Sequence, residues 1–510
     1  MLTNIEQSAF LLPMLVLVFG AIGFVTVIYA VPFVLARIAP IVAQRRELHQ
    51  IHKAAVPRLG GIALAIGFVL VCAATFAVDS MHSGHPRLVL ALTSLAMFGL
   101  GLWDDISPLG AKKKLVGQIL IASAAFYFGL QVETFKNPLT GELYSLGLWS
   151  AVATVFWLVA LTNLINLVDG IDGLAGGIAL MLMCLLAYVG FQGQVFSLCI
   201  AVGMAGALIA FLYFNFPPAK IYLGDGGAYF LGYLIAGLAI QNSNKGTIAA
   251  ALIAPIFALA LPILDVSLSI FRRGLQGLPI FRPDRRHIHH RLLSAGWSRR
   301  RAVLTLYAIS LFFLVLAFVA FWSDGRLTAI LVGCSFVVLL VVVPSLGLIK
   351  NWLTVGATFG NSLEMRKEIQ YALLLRNWLQ MEADRCDSLL SLWHDFTFAA
   401  NKLGFAEATL TLRNVNCTWS CERSDGPLRS VRHEMQITGE MVVLHLTAPK
   451  TMEEKAFYLL SELAAETWLH SAVRWTRRSK MSFELPHNTD ATPAEERRSV
   501  QAPASGFLSA

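Results

Sequence analysis

The chain has 510 residues, 56% of them hydrophobic and 14% charged, with a formal net charge of +8. Its apolar residues come in long blocks rather than in a period that would build one soluble core, which argues against a soluble globular protein. The basic residues border those blocks instead of forming a separate arm, so nucleic acid is not an expected partner.

In chain order, eleven apolar runs fall at about 10–36, 58–78, 88–103, 115–133, 148–162, 175–191, 195–214, 227–241, 247–271, 303–322 and 327–349. Runs of roughly 16–25 apolar residues are what a hydrocarbon layer ~30 Å thick demands of a helix. The first run is too long for the apolar stretch of a signal peptide, and no Lys or Arg precedes it, so a retained membrane helix is expected. Residues 351–510 read differently. Residues 366–405 show apolar spacings of three and four, as helices do, and MEEKAFYLLSELAAETWLHSAVRW reads as another helix. ATLTLRN, RSVRHEMQI and EMVVLHLTA read as strands. After about residue 480 the chain turns to Pro, Ser, Thr, Glu and Arg, a composition that cannot build a core. The expected fold is an all-α polytopic membrane protein of about eleven transmembrane helices over 1–350. A small cytoplasmic α+β domain follows over 351–480, then a disordered tail over 481–510. That domain shows no catalytic cluster; a docking or regulatory role and a plain stabilising role are both open.

Lys and Arg concentrate in 37–58, 104–114 and 272–302, whereas the alternate loops hold only Arg87, Lys136, Lys245 and Arg326. The positive-inside rule then places the N-terminus outside and the C-terminal domain in the cytoplasm. Seven Cys bring no paired framework, and Cys417-x-x-x-Cys421 lacks the second pair or nearby His that a metal site needs.

Four polar clusters break the apolar pattern: Asp104-Asp105 in GLGLWDDI, the stretch NLINLVDGIDGLAGG at 163–177, Asp225 in YLGDGGAYF, and His287, His289 and His290 in RPDRRHIHHRLL. The expected topology brings all four to the cytoplasmic ends of helices. An acidic pair at a helix C-terminus opposes the helix dipole, which favours a functional reason for Asp104 and Asp105 over a chance one. Asn163, Asn166 and Asp169 are three apart and would form a ladder on one helix face, which Asp172 can join. Carboxylates suit Mg²⁺, which takes one or two of them plus substrate phosphate oxygens. Arg, Lys and His⁺ offset the remaining phosphate charge. The residues alone therefore point to a phosphate-handling enzyme at the inner membrane surface. Lys112, Lys113 and Lys114, and likewise Lys53 and Arg58, read first as topology anchors.

Together, VPRLGG at 56–61, LWDDI at 102–106, NLINLVDGIDGLAGG, IYLGDGGAYFLGY at 221–233 and DRRHIHHRL at 284–292 resemble one family. It is the polyprenyl-phosphate N-acetylhexosamine-1-phosphate transferases, relatives of phospho-N-acetylmuramoyl-pentapeptide transferase. The resemblance spans about 10–350, and His-Ile-His-His resembles the N-acetylhexosamine branch. It implies transfer of a sugar 1-phosphate from a UDP-N-acetylhexosamine, by default N-acetylglucosamine, to undecaprenyl phosphate. UMP is released, Mg²⁺ is required and Mn²⁺ is an alternative. It implies a bacterial inner-membrane enzyme of cell-surface polysaccharide synthesis, in contact with membrane lipid; a homodimer is compatible with it.

By the same resemblance Asp225 is a Mg²⁺ ligand, and Asp169 and Asn166 lie beside the metal and pyrophosphate. Asp104 and Asp105 are the acidic pair that positions or deprotonates the lipid phosphate or assists the metal, and Asp172 contacts the nucleotide, with Asn163 also on the substrate side. Arg285, Arg286, His287, His289 and His290 form the basic element at the pyrophosphate. Lys53 and Lys112 would meet the lipid phosphate. Ala228 departs from the family pattern, which often places a polar residue there. Two other readings compete. A lipid-phosphate transporter would place its ionisable residues near mid-membrane, and a non-catalytic membrane scaffold would not need these carboxylates together.

Overall fold

The computed structural model describes residues 2–38, 56–78, 85–136, 142–191, 194–243, 256, 259–276, 288–323, 327–345, 355–412, 415–421, 427–437 and 440–479. They fall into two compact units. One lies within Met1–Leu48, His52–Ile270 and Pro283–Leu353, and the other is mainly Thr354–Ala510.

The first unit is helical. It contains α1 (Leu2–Phe33, continued by a π-helical turn over Val34–Ile38), α2 (Gly60–Val78), α3 (His85–Ile106) and α4 (Ala111–Tyr127). A two-stranded hairpin follows, β1 (Thr134–Lys136) with β2 (Leu143–Ser145). Then come α5 (Trp149–Val168), α6 (Leu174–Phe191), α7 (Val195–Asn215), α8 (Gly224–Ser243), α9 (Ala260–Gln276, in this unit as far as Ile270), α10 (Ile288–Ser294), α11 (Arg299–Trp322) and α12 (Thr328–Ser345). Among the described residues, seven helices are long and apolar enough to cross a membrane, and Pro262–Phe271 and Ile330–Val342 are shorter apolar helices. The expected count of eleven is therefore not reached by length and apolarity alone. The run at 115–133 forms a 17-residue helix that opens with three Lys, and residues 247–255 lie outside the described residues.

Helix α8 is the hub of this unit. Residues 228–240 are buried on every side, which their apolar composition permits. Helices α2, α3, α5 and α6 pack around it. The outer helices turn residues such as Leu17, Phe156 and Ile330 outward, as a lipid-facing surface requires. Because α3, α5 and α7 end where α4, α6 and α8 begin, the chain repeatedly turns at the end that carries Asp104, Asp169, Asn215 and Asp225.

The second unit is an α+β domain. Helices α13 (Val355–Glu382), α14 (Leu389–Lys402) and α15 (Glu454–Ser479) pack with a four-stranded antiparallel sheet of order β4-β3-β6-β5. Its strands are β3 (Glu407–Leu412), β4 (Val415–Ser420), β5 (Leu428–Ile437) and β6 (Glu440–Pro449). Ala408, Leu410 and Leu412 alternate inward on β3 and meet Leu446, Leu444 and Val442 of β6. At the centre of the core Trp393 and Phe396 stack, and Trp468 meets Trp393 edge-on and Phe396 at a tilt. Strand β4 is an addition to the three strands expected. Its alternation V-N-C-T-W-S carried the period-2 signal, and Cys417 lies buried opposite Leu410. The tail expected at 481–510 lies outside the described residues.

Candidate active site

The site begins with a backbone clamp. Tyr222 N donates to Pro57 O, Gly60 N to Tyr222 O and Gly61 N to Leu223 O, each at 2.9 Å. VPRLGG and IYLGDGG, far apart in sequence, thus become neighbours, and the clamp carries Arg58 to the start of α8. Gly224 takes φ +78°, and a Cβ there would meet Arg58 O at 2.6 Å and Asp105 Oδ2 at 2.7 Å. Only glycine fits that position.

The acidic pair divides its work. Asp105 is buried, and its Oδ1 accepts from Asp225 N at 3.0 Å while its Oδ2 accepts from Gly226 N at 2.9 Å. It caps α8 by satisfying two N-terminal N–H groups that the helix itself cannot pair. Asp104 accepts from Leu109 N at 2.6 Å and forms an ion pair with Lys114. Lys114 Nζ also lies 2.9 Å from Asp225 Oδ2, so one ammonium bridges the two carboxylates. Sequence reasoning had chosen Lys112, whose side chain is exposed. Three consecutive Lys at a helix start point in three directions, and packing decides which one faces inward.

The Asn/Asp stretch is a helix end followed by a turn, not one continuous ladder. Helix α5 stops at Val168, and Asp169 is its C-cap with φ −74°, ψ 44°. Asn166 is on the last helical turn, and Asp172 lies beyond the helix in the turn. Asn163 faces elsewhere: its Nδ2 donates to Gln118 Oε1 at 2.7 Å and to Val159 O at 2.8 Å, joining α5 to α4. Asp172 Oδ2 accepts from Ala219 N at 3.2 Å and lies 3.4 Å from Arg299 Nη1. Gly173 N donates to Asn215 Oδ1 at 2.9 Å, and Asn215 Nδ2 donates to Ile221 O at 2.8 Å. Tyr307 OH donates to Gly173 O. The turn is held from α7, from α11 and from the loop that carries Ala219.

These parts enclose a cavity of about 550 Å³ whose wall includes Arg58, Asn166, Asp169, Asp172, Tyr222 and Asp225, with Leu293 and Arg299 on a further side. Burial, together with the negative charge of Asp225 and Asp105, pushes the Asp169 carboxyl well above the usual carboxylate range, and Arg58 opposes this only in part. Among the described residues the site gathers Asp104, Asp105, Asp169, Asp172 and Asp225 against Arg58, Lys114 and Arg299. A divalent ion relieves such an excess, and Mg²⁺ needs only one or two carboxylates when substrate phosphate supplies the rest. Among the described residues no group of three or more His, Cys, Asp or Glu could hold a metal unaided. Asp169 and Asp225, which line the same cavity, are the carboxylates that could hold a divalent ion.

Of the residues expected from sequence, Asn166, Asp169, Asp172 and Asp225 line the cavity, while Asp104 and Asp105 adjoin it through Lys114 and Asp225. Lys53, Arg285, Arg286 and His287 lie outside the described residues. His289 and His290 open α10, of whose two His only the backbone is described. Sequence reasoning missed Asn215 and Arg299 and read Arg58 and Lys114 first as topology anchors. For Arg58 and Lys114, adjacency to the motifs was the available signal.

The family described as Glycosyl transferase family 4 matches residues 87–243, a span that runs from α3 through α8. A probable undecaprenyl-phosphate N-acetylglucosaminyl 1-phosphate transferase of Bacillus subtilis (strain 168) is 32% identical over 271 residues, covering 53% of this chain and 75% of the relative. A decaprenyl-phosphate N-acetylglucosaminephosphotransferase of Mycobacterium leprae (strain TN) is 32% identical over 306 residues, covering 54% and 75%. A phospho-N-acetylmuramoyl-pentapeptide-transferase of Listeria innocua is 30% identical over 282 residues, covering 52% and 83%. With most of each relative's length matched and the matched helices supplying the cavity's carboxylates, the chain belongs to the polyprenyl-phosphate sugar-1-phosphate transferases of glycosyl transferase family 4, as a multi-pass bacterial membrane protein.

Proposed function

We propose that the protein transfers N-acetylhexosamine 1-phosphate, with N-acetylglucosamine as the default sugar, from its UDP derivative to undecaprenyl phosphate in a Mg²⁺-dependent reaction. The observation that carries this reading is the gathering of Asp104, Lys114, Asp169 and Asp225 at one end of a bundle of apolar helices. The reading includes eleven spans, the N-terminus outside, and the cavity and C-terminal domain on the cytoplasmic side, where UDP-sugars are found.

A lipid-phosphate oxygen attacks the β-phosphorus of the UDP-sugar. One P–O bond forms and the P–O bond to UMP breaks, so the products are undecaprenyl-pyrophosphoryl sugar and UMP. Such a step needs positioning and charge neutralisation more than covalent help from the protein. Asp169 and Asp225 would hold Mg²⁺, which supplies neutralisation of the pyrophosphate when bound. Lys114, held by Asp104, offsets charge on the attacking phosphate. Asp105 keeps Asp225 in place through the α8 cap. Arg58 lies at the phosphate side of the cavity, and Asp172 and Arg299 lie on the side assigned to the nucleotide. Direct attack is favoured over a phospho-aspartyl intermediate, because the carboxylates are engaged as caps, ion-pair partners or metal ligands. The transporter and scaffold readings gain no support from carboxylates gathered at helix ends around one cavity.

The test uses full-length protein in detergent with undecaprenyl phosphate, Mg²⁺ and a panel of UDP-N-acetylhexosamines, following UMP release. Release with one donor, lost with EDTA and in Asp225→Ala, is expected. Folded protein that releases no UMP with any donor would overturn the assignment.

A further inference from the structure

Asp265 is a carboxylate that the reading above does not use. It sits in the apolar helix α9 and is 8% exposed. Its Oδ2 accepts from Ile288 N at 3.2 Å. Ile288 is the first residue of α10, and His289 and His290 follow it directly. Helix α10 has seven residues, and isolated helices shorter than ~12–15 residues are marginal in water. Its position must come from outside. Ile288 and Leu292 bury against the core. At its far end Gly296 takes φ +83°, with Gly296 N bonded to Leu293 O and Trp297 N to Leu292 O. At its near end the described anchor is Asp265, whose negative charge also suits a helix N-terminus. Asp265 and Ile288 line a cavity of about 30 Å³ together with Val168 and Leu174, the residues flanking the Asp169–Gly173 turn. The same short helix supplies Leu293 to the catalytic cavity. A shift of its start therefore moves the His pair and the cavity wall together.

We infer that Asp265 is a positioning residue that, by fixing the first turn of α10, sets the helix that carries His289 and His290 and supplies Leu293 to the catalytic cavity. The inference rests on the proposed function for its kinetic consequence but not for its structural one. The experiment compares the parent enzyme with Asp265→Ala and Asp265→Asn, since Asn keeps an oxygen that can accept from Ile288 N. Amide hydrogen exchange across 288–294 and UMP kinetics are read on the same samples. In Asp265→Ala, exchange should rise about tenfold in that segment and not globally. Its kcat/KM for the UDP-sugar should fall about 10- to 100-fold, with the KM for undecaprenyl phosphate unchanged, and Asp265→Asn should restore most of both. Parent-like exchange and kinetics in Asp265→Ala would overturn the inference. So would a global rise in exchange, or equal loss of activity in both variants with α10 still protected. If the parent releases no UMP with any donor while the exchange pattern appears as expected, the proposed function fails and the anchoring of α10 stands.

Discussion

Gly101 and Gly99 lie two residues apart on α3 and should respond oppositely to the same added methyl. A Cβ at Gly101 would sit 2.5 Å from Asp225 O, 2.6 Å from Gly226 Cα and 2.7 Å from Asp225 C, whereas a Cβ at Gly99 meets nothing within 4 Å. Real Cβ atoms keep beyond 3.0 Å, and the obstacles at Gly101 are backbone atoms that no rotamer change can move. Helices α3 and α8 must therefore part by at least about 0.5 Å, and overpacking of this kind costs about 1–3 kcal/mol. The displaced backbone is the one whose N–H groups Asp105 caps, so the shift reaches Asp225 itself. Misplacement on this scale costs catalysis up to about 10²-fold. Gly99→Ala should instead gain a few tenths to about 1 kcal/mol in helix propensity and keep full activity. Thermal unfolding in detergent and UMP release, measured on both variants in parallel, decide the matter. A Gly101→Ala protein that melts and turns over like Gly99→Ala would refute the argument that backbone contact between α3 and α8 sets the site.

Lys114→Met should abolish UMP release, while Lys112→Met should leave at least half of it, since only Lys114 bridges Asp104 and Asp225; equal effects would refute the bridge. Asn215→Ala strands Gly173 N and Ile221 O, at about 1–3 kcal/mol for each buried group, and a lowered melting midpoint should report it. In the C-terminal domain, the Arg474 guanidinium holds the Asp384 carboxyl below its ordinary range. A depressed carboxylate pKa contributes stability above the unfolded value and loses it as pH falls through the folded one. The melting gap between the parent and Asp384→Asn should thus be open at neutral pH and close on acidification below about pH 4.

How much of this was readable beforehand follows physical lines. WDD, NLINLVDG and GDGG stood out because each interrupts an apolar run, and helix alternation alone could bring them to one end. Directions around a helix axis were harder. Asn163 shares the spacing of Asn166 yet turns to Gln118, and Lys114 rather than Lys112 faces inward. Both outcomes depend on which neighbouring helix packs against which side, a three-dimensional fact. The ladder through Asp172 failed because α5 ends at Val168. Asp265 was passed over inside LPILDVSL, although an ionisable residue within an apolar run is itself a signal of function. Strand β4 was missed although its alternation of apolar and polar positions is that of a strand with one open face.

The close packing of α2 and α3 on α8 has a consequence for how such an enzyme can diversify. A methyl at Gly61 would meet Gly227 N at 2.4 Å, and one at Gly226 would approach Leu102 N at 3.0 Å. On that side the site is walled by main chain touching main chain, and no substitution can widen or reshape it without separating the helices. The wall to which Leu293 and Arg299 contribute is built from side chains that can be exchanged one at a time. Change at the cavity wall would therefore come through α10 and the start of α11, while the main-chain wall stays as it is.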